Sequence, residues 1–135
     1  MPYKLVRIEG IGETYGQKLK ELGFTTTSQL LEKGATPEGR KDIAEKSGLS
    51  DKLILRWVNL ADLFRIKGVG EEYSDLLEAA GVDTVVEIAQ RNPENLLLKL
   101  QAAQAERNMV RRIPSLKEVK KWVEQAKILP RVVKY

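Results

Sequence analysis

Residues 8–31 of this chain align without a gap on residues 66–89. Ile8, Gly10, Gly12, Glu13, Tyr15, Leu19, Gly23 and Thr26 recur as Ile66, Gly68, Gly70, Glu71, Tyr73, Leu77, Gly81 and Thr84, which is 8 identities in 24 positions. Gly68, Gly70 and Gly81 all fall on glycines of the first copy. Glycine returns at a fixed place where the backbone needs a positive φ or a close approach. A second block matches at a larger spacing: Lys52, Arg56, Trp57, Val58 and Ala61 correspond to Lys117, Lys121, Trp122, Val123 and Ala126. Self-similarity at a fixed period marks one supersecondary unit used twice. The extra residues of the second copy are most simply placed in or near Arg111-Arg112-Ile113-Pro114. The chain therefore divides into a first unit at 1–65, a second at 66–129 and a tail at 130–135. Its 135 residues suffice for one domain or two very small ones.

Both units read as helical. Thr36-Pro37-Glu38 and Asn92-Pro93-Glu94 each place a capping residue, a proline at the first helical position and an acid in the first turn. Ser115-Leu116-Lys117-Glu118 has the capping-box pattern. Leu53, Trp57, Leu60 and Phe64 recur at helical spacing, as do Leu116, Val119, Val123 and Ala126. Gly23 and Gly81 stand where a helix ends, with Thr25 and Asp83 as the next caps. No segment alternates with period two. The expected class is all-α, with about four or five short helices per unit.

Composition removes many chemistries. Cysteine and histidine are both absent, so thiolate metal sites, a cysteine nucleophile and the usual neutral-pH base are excluded. No apolar run reaches the roughly 20 residues of a membrane span, and residues 1–7 lack a signal-peptide core. The expectation is a cytoplasmic protein that is not an enzyme and needs no cofactor, metal, membrane or small-molecule substrate. Charge is uneven. Residues 1–65 carry 11 basic and 9 acidic side chains, residues 66–106 carry 3 and 8, and residues 107–135 carry 9 and 2. A basic end beside an acidic middle fits a nucleic-acid or acidic-partner surface.

Each unit contains apolar–x–Gly–apolar–Gly: Ile8-Glu9-Gly10-Ile11-Gly12 and Ile66-Lys67-Gly68-Val69-Gly70. A helix follows at once in each. This pattern resembles the helix-hairpin-helix motif. With the later Leu19, Gly23-Phe24, Thr26, Leu30, Ile43-Ala44 and Ser47-Gly48-Leu49-Ser50, each unit resembles the amino-terminal domain of archaeal and eukaryotic RecA-type recombinases. The whole chain is similar to a bacterial family of unknown function built from two such units in tandem. The resemblance implies two small bundles of the SAM-like kind. It also implies binding of DNA through the hairpins, at Gly10, Ile11, Gly12 and at Gly68, Val69, Gly70. There the N–H groups opening the next helix, with the positive end of its dipole, meet phosphate without reading sequence. Helix-hairpin-helix glycosylases place a catalytic lysine soon after the hairpin. Glu13-Thr14-Tyr15-Gly16 and Glu71-Glu72-Tyr73-Ser74 contain none, which speaks against base-excision chemistry.

Basic side chains form the second candidate surface. Lys18 and Lys20 lie just after the first hairpin. Lys52 and Arg56 share repeat positions with Lys117 and Lys121, Lys120 lies beside the latter, and Arg107, Arg111 and Arg112 precede them. The leading expectation is a DNA-binding protein with little sequence preference. The other is a protein-interaction adaptor on the same fold, favoured by the acids Glu71, Glu72, Asp75 and Glu78.

Overall fold

A computed structural model of the chain describes residues 4–8 and 10–135, with the side chain of Val6 left aside. Glu9 of the first hairpin pattern lies outside the described residues. These residues form eight α-helices and no strand: α1 (Gly12–Glu21), α2 (Thr27–Gly34), α3 (Pro37–Ser47), α4 (Asp51–Leu63), α5 (Gly70–Ala79), α6 (Val85–Ala89), α7 (Pro93–Arg107) and α8 (Leu116–Ile128). A short 3-10 turn over Leu5–Arg7 precedes α1. The protein is all-α, as its periodicity and caps predict.

The chain separates into two compact units, one running to Asp62 and one spanning Leu63–Pro130. Arg131–Tyr135 belongs to the first unit. In the first unit α2 packs on α3, and α1 packs on the 3-10 turn. In the second, α8 packs on α6 and α7, and α5 packs on α7. Trp57, Ile11, Leu19, Leu30, Ile43 and Ile54 are buried in the first unit. Trp122, Val69, Leu76, Leu77, Ile88 and Leu100 are buried in the second.

Local hydrogen bonds explain where the helices begin and end. After α1, Gly23 at φ +93° donates to the Lys20 carbonyl and Phe24 to the Leu19 carbonyl. Gly81 and Val82 repeat this on Glu78 and Leu77. The pair is the Schellman ending, which needs a left-handed residue just past the helix. The following caps are Thr26 and Thr84, not Thr25 and Asp83. Thr26 is extended, and its hydroxyl accepts from the Gln29 N–H at 3.2 Å. Thr25 instead donates its N–H and hydroxyl to Gln29 Oε1. The cap must lie three residues before the N–H it accepts, and only Thr26 and Thr84 satisfy that.

The repeat's length difference is also distributed differently from the sequence expectation. α7 has 15 residues where α3 has 11. The connection at 108–115 is longer than that at 48–50, while α6 is shorter than α2. Gln104 organises the long connection, accepting from the N–H groups of Met109 and Val110 and donating to the Val110 carbonyl.

The end of the chain is tied down by polar contacts within the first unit. Lys134 N–H donates to the Ala35 carbonyl at 2.7 Å, and buried Arg40 donates to the carbonyls of Lys134 and Gly34. Val133 is buried, and the Tyr135 hydroxyl donates to Asn59 Oδ1 at 2.7 Å.

Candidate functional site

The two Gly–apolar–Gly turns have the same backbone. Gly10 and Gly12 lie at φ +90° and +56°, Gly68 and Gly70 at +93° and +56°. Ile11 N–H donates to the Ile8 carbonyl, and Val69 N–H to the Ile66 carbonyl, both at 3.2 Å. Ile11 and Val69 are each 2% exposed, so the apolar residue of each turn is a plug in the core and its side chain is not a surface contact.

Helix starts elsewhere are capped by side chains. Thr26, Ser50, Thr36, Thr84, Asn92 and Ser115 accept N–H groups at the openings of α2, α4, α3, α6, α7 and α8. The helices α1 and α5 begin at Ile11 and Val69, which supply no side-chain cap. A helix start leaves N–H groups without an intrahelical acceptor and carries partial positive charge.

An aromatic pair supports each turn. Tyr15 and Trp57 have ring centroids 5.3 Å apart and tilted by 56°, and Tyr73 and Trp122 repeat this at 5.3 Å and 52°. Tilted rings at this separation are the favoured arrangement of two aromatic quadrupoles. The tryptophans are core residues, 0% and 2% exposed, and so are no platform for stacked bases.

The surroundings of the two turns differ. At the first, Arg56 reaches from α4 so that its Nη1 would stand 2.7 Å from a Cβ on Gly10. At the second, the neighbour of Gly68 is Trp122 Nε1, at 3.2 Å from such a Cβ. The second turn is also clamped: Gln125 of α8 accepts from the Lys67 N–H at 2.9 Å and donates to the Lys67 carbonyl at 3.2 Å. One acid, Glu13, occupies the first turn of α1, and two, Glu71 and Glu72, that of α5.

The remaining basic candidates fall into two groups. Lys18 and Lys20 are exposed on α1, and Lys52 is exposed near the start of α4, the helix that also carries half-buried Arg56. In the second unit Lys117, Lys120 and Lys121 are exposed on α8, Arg107 ends α7, and Arg111 is exposed in the connection. Arg112 has a structural partner. It grips Glu118 through two bonds of 2.8 and 3.2 Å, and its carbonyl accepts the Tyr73 hydroxyl at 2.9 Å. The Arg112 guanidinium, helped by the Ser115 backbone N–H, holds the Glu118 carboxyl down at about 2. Burial pushes the Tyr73 hydroxyl up from its ordinary value.

A cavity of about 540 Å³ lies in the first unit along α1. Lys4, Leu5, Glu13, Gly16, Gln17, Lys20, Phe24, Thr25 and Thr26 line it. Lys4 arrives there through an antiparallel bridge to Thr26, and the Leu5 N–H donates to the Thr25 carbonyl at 3.0 Å. The α1 positions 13, 16, 17 and 20 form one helical stripe that is legible in the sequence. The approach of residues 4 and 5 to residues 24–26 has no local signal. Among the described residues, no group of three or more acids could hold a metal ion. No helix of the described residues is long and apolar enough to cross a membrane.

A protein-family model described as a domain of unknown function (DUF4332) matches residues 9–129. The chain belongs to this family. The DUF4332 match spans both units and both Gly–apolar–Gly turns. The chain matches no curated protein. It matches no solved structure either.

Proposed function

We propose that this DUF4332 protein is a tandem helix-hairpin-helix protein that binds DNA with little sequence preference and catalyses no reaction. The observation that supports this most is the opening of α1. It lacks a side-chain cap, follows two glycines at positive φ, and has the Arg56 guanidinium beside Gly10. Backbone N–H groups, helix dipole and an arginine all favour an anion at one place. Phosphate contact through backbone fixes position on a duplex and carries no base information. Lys18, Lys20 and Lys52 are further exposed cations of the first unit, and Lys117, Lys120, Lys121, Arg107 and Arg111 are exposed cations of the second. Arg112 contributes less, because its guanidinium already satisfies Glu118.

The experiment is fluorescence anisotropy with a labelled duplex across a salt series. The expected dissociation constant at moderate salt is on the order of 10⁻⁴–10⁻⁶ M, with a logarithmic salt slope of about 0.9 per phosphate engaged. Arg56→Gln and the double variant Lys117→Glu/Lys121→Glu each weaken binding and flatten the slope. A duplex that does not bind even at low salt removes the reading.

The second unit favours a protein adaptor. Glu71 and Glu72 place two acids in the first turn of α5, and like charge near a bound phosphate opposes it. On that reading the first unit alone holds DNA, and Gly70 and its neighbours serve the fold.

A further inference from the structure

We propose that the cavity along α1 is a nucleotide site, taking a nucleobase with its sugar and 5′-phosphate. It goes beyond the backbone-phosphate reading and does not depend on it. The volume of about 540 Å³ falls within the range of ~300–1,000 Å³ usual for small-ligand sites. Three kinds of group line it. Leu5 and Phe24 supply an apolar wall for a flat ring, Lys4 and Lys20 supply two ammonium groups for a phosphate, and Glu13 and Gln17 supply acceptors for amino or hydroxyl groups. A nucleotide matches all three. A fatty acid would match the wall and the lysines but offer the exposed Glu13 and Gln17 no hydrogen-bonding partner. A compact polyanion would meet Glu13 and leave Phe24 unused.

The internal repeat supplies a comparison within one chain. At the corresponding positions of the second unit, Gly16 becomes Ser74, Gln17 becomes Asp75, Lys20 becomes Glu78, Phe24 becomes Val82 and Thr25 becomes Asp83. Ser74 is buried and donates to the Glu71 carbonyl at 3.0 Å, and Val82 is wholly buried. The cationic and aromatic groups are therefore particular to the first unit and are not demanded by the shared backbone. Gly16 keeps that stretch of α1 without a side chain, and Lys20 leaves a cation where the other copy has an acid.

The nucleotide has two sources, a free nucleotide or an unpaired terminal nucleotide of a DNA strand. The test is a ¹H–¹⁵N NMR titration of the full chain with deoxyadenosine 5′-monophosphate, deoxyadenosine and inorganic phosphate. A parallel arm uses duplexes with and without one unpaired 5′-phosphorylated nucleotide. The expected result is saturable shifts of the Gly16, Gln17, Lys20 and Thr25 amides, with the monophosphate at least tenfold tighter than either fragment. Phe24→Val and Lys20→Glu, each taken from the second copy, weaken it at least tenfold; melting curves establish that both are folded. If only the overhanging duplex shifts these amides, and Phe24→Val abolishes its advantage over the blunt one, the strand is the source. Phe24→Val leaves blunt-duplex affinity unchanged, so a failed DNA reading and a failed pocket are told apart. No shift of these amides by the monophosphate at millimolar concentration, together with equal binding of both duplexes, overturns the proposal.

Discussion

The guanidinium of Arg56 lies against the backbone of Gly10, with Nη1 2.7 Å from where a Cβ on that glycine would be. Gly10 is at φ +90°, outside the narrow left-handed well that other residues tolerate. The Gly10→Ala variant therefore loses about 1–3 kcal/mol of stability from backbone strain. The steric part is small, because the end of a long arginine can swing aside. Gly12 differs: at φ +56° it sits in the left-handed well with open space around its missing Cβ. The Gly12→Ala variant costs about 1 kcal/mol. Urea unfolding of both variants checks the order.

Gly39 gives the opposite lesson. Its φ is ordinary, but a Cβ there would run into the Lys33 carbonyl oxygen, which is backbone and cannot swing away. Gly39→Ala is expected to cost about 3 kcal/mol, the upper part of the usual range for overpacking. Thermal melts should place it below Gly10→Ala. A loss under about 0.5 kcal/mol, the scale of a neutral surface change, would mean that α2 and α3 are not packed this closely.

Acid should selectively weaken the Arg112–Glu118 pair. The folded carboxyl is held at about 2, against an ordinary value near 4.5. A folded value below the unfolded one means that the pair contributes fully above about pH 4.5 and loses that contribution as pH falls toward 2. The Glu118 side chain is one-third exposed and that of Arg112 more so, which solvent screening reduces to about 1 kcal/mol or less. The melting-temperature gap between the wild type and Glu118→Gln should be constant near neutrality and close between pH 4.5 and 2.

Removing Arg131–Tyr135 should destabilise the first unit. The deletion exposes the Val133 site and takes away the Lys134 carbonyl that accepts from Arg40 at 2.7 Å. It also takes away the Lys134 N–H and the Tyr135 hydroxyl as donors. Burial of one valine and three hydrogen bonds together predict a loss of about 3 kcal/mol. Hydrogen exchange of the α2 and α3 amides in the truncated chain reads that loss. Protection equal to the full chain would show that the last five residues are not held.

The legible part of this protein is what short stretches decide. A capping bond joins residues three apart, as Ser115 to Glu118 and Thr36 to Gly39. A left-handed glycine ends a helix locally, as at Gly23 and Gly81. Hydrophobic spacing selects the buried face of α8 through Val119, Trp122, Val123 and Ala126. These signals were sufficient for the helical class and for the internal repeat. They do not separate the caps Thr26 and Thr84 from Thr25 and Asp83, which have the same capping chemistry; only backbone geometry does.

Of the candidate site, the two turns were visible in the repeated glycines, and the basic positions were visible as charge. What distinguishes the two turns was not. Arg56 and Lys121 align in the sequence, yet Gly10 has the guanidinium as its neighbour and Gly68 has Trp122. Charge alone does not distinguish Arg112 from Arg111, but only Arg112 is held by two bonds to Glu118.

By itself the sequence determined the helical class, most of the helix ends and the two-fold repetition, because each depends on a few neighbouring residues or on apolar content. The tertiary structure alone decided the return of the last residues to the first unit, where Arg40 meets Lys134 across 94 positions. It alone also formed the cavity between Lys4, Phe24 and α1. Contacts between residues distant along the chain arise from how helices of a given length pack, and that packing leaves no periodic trace in the residues it joins.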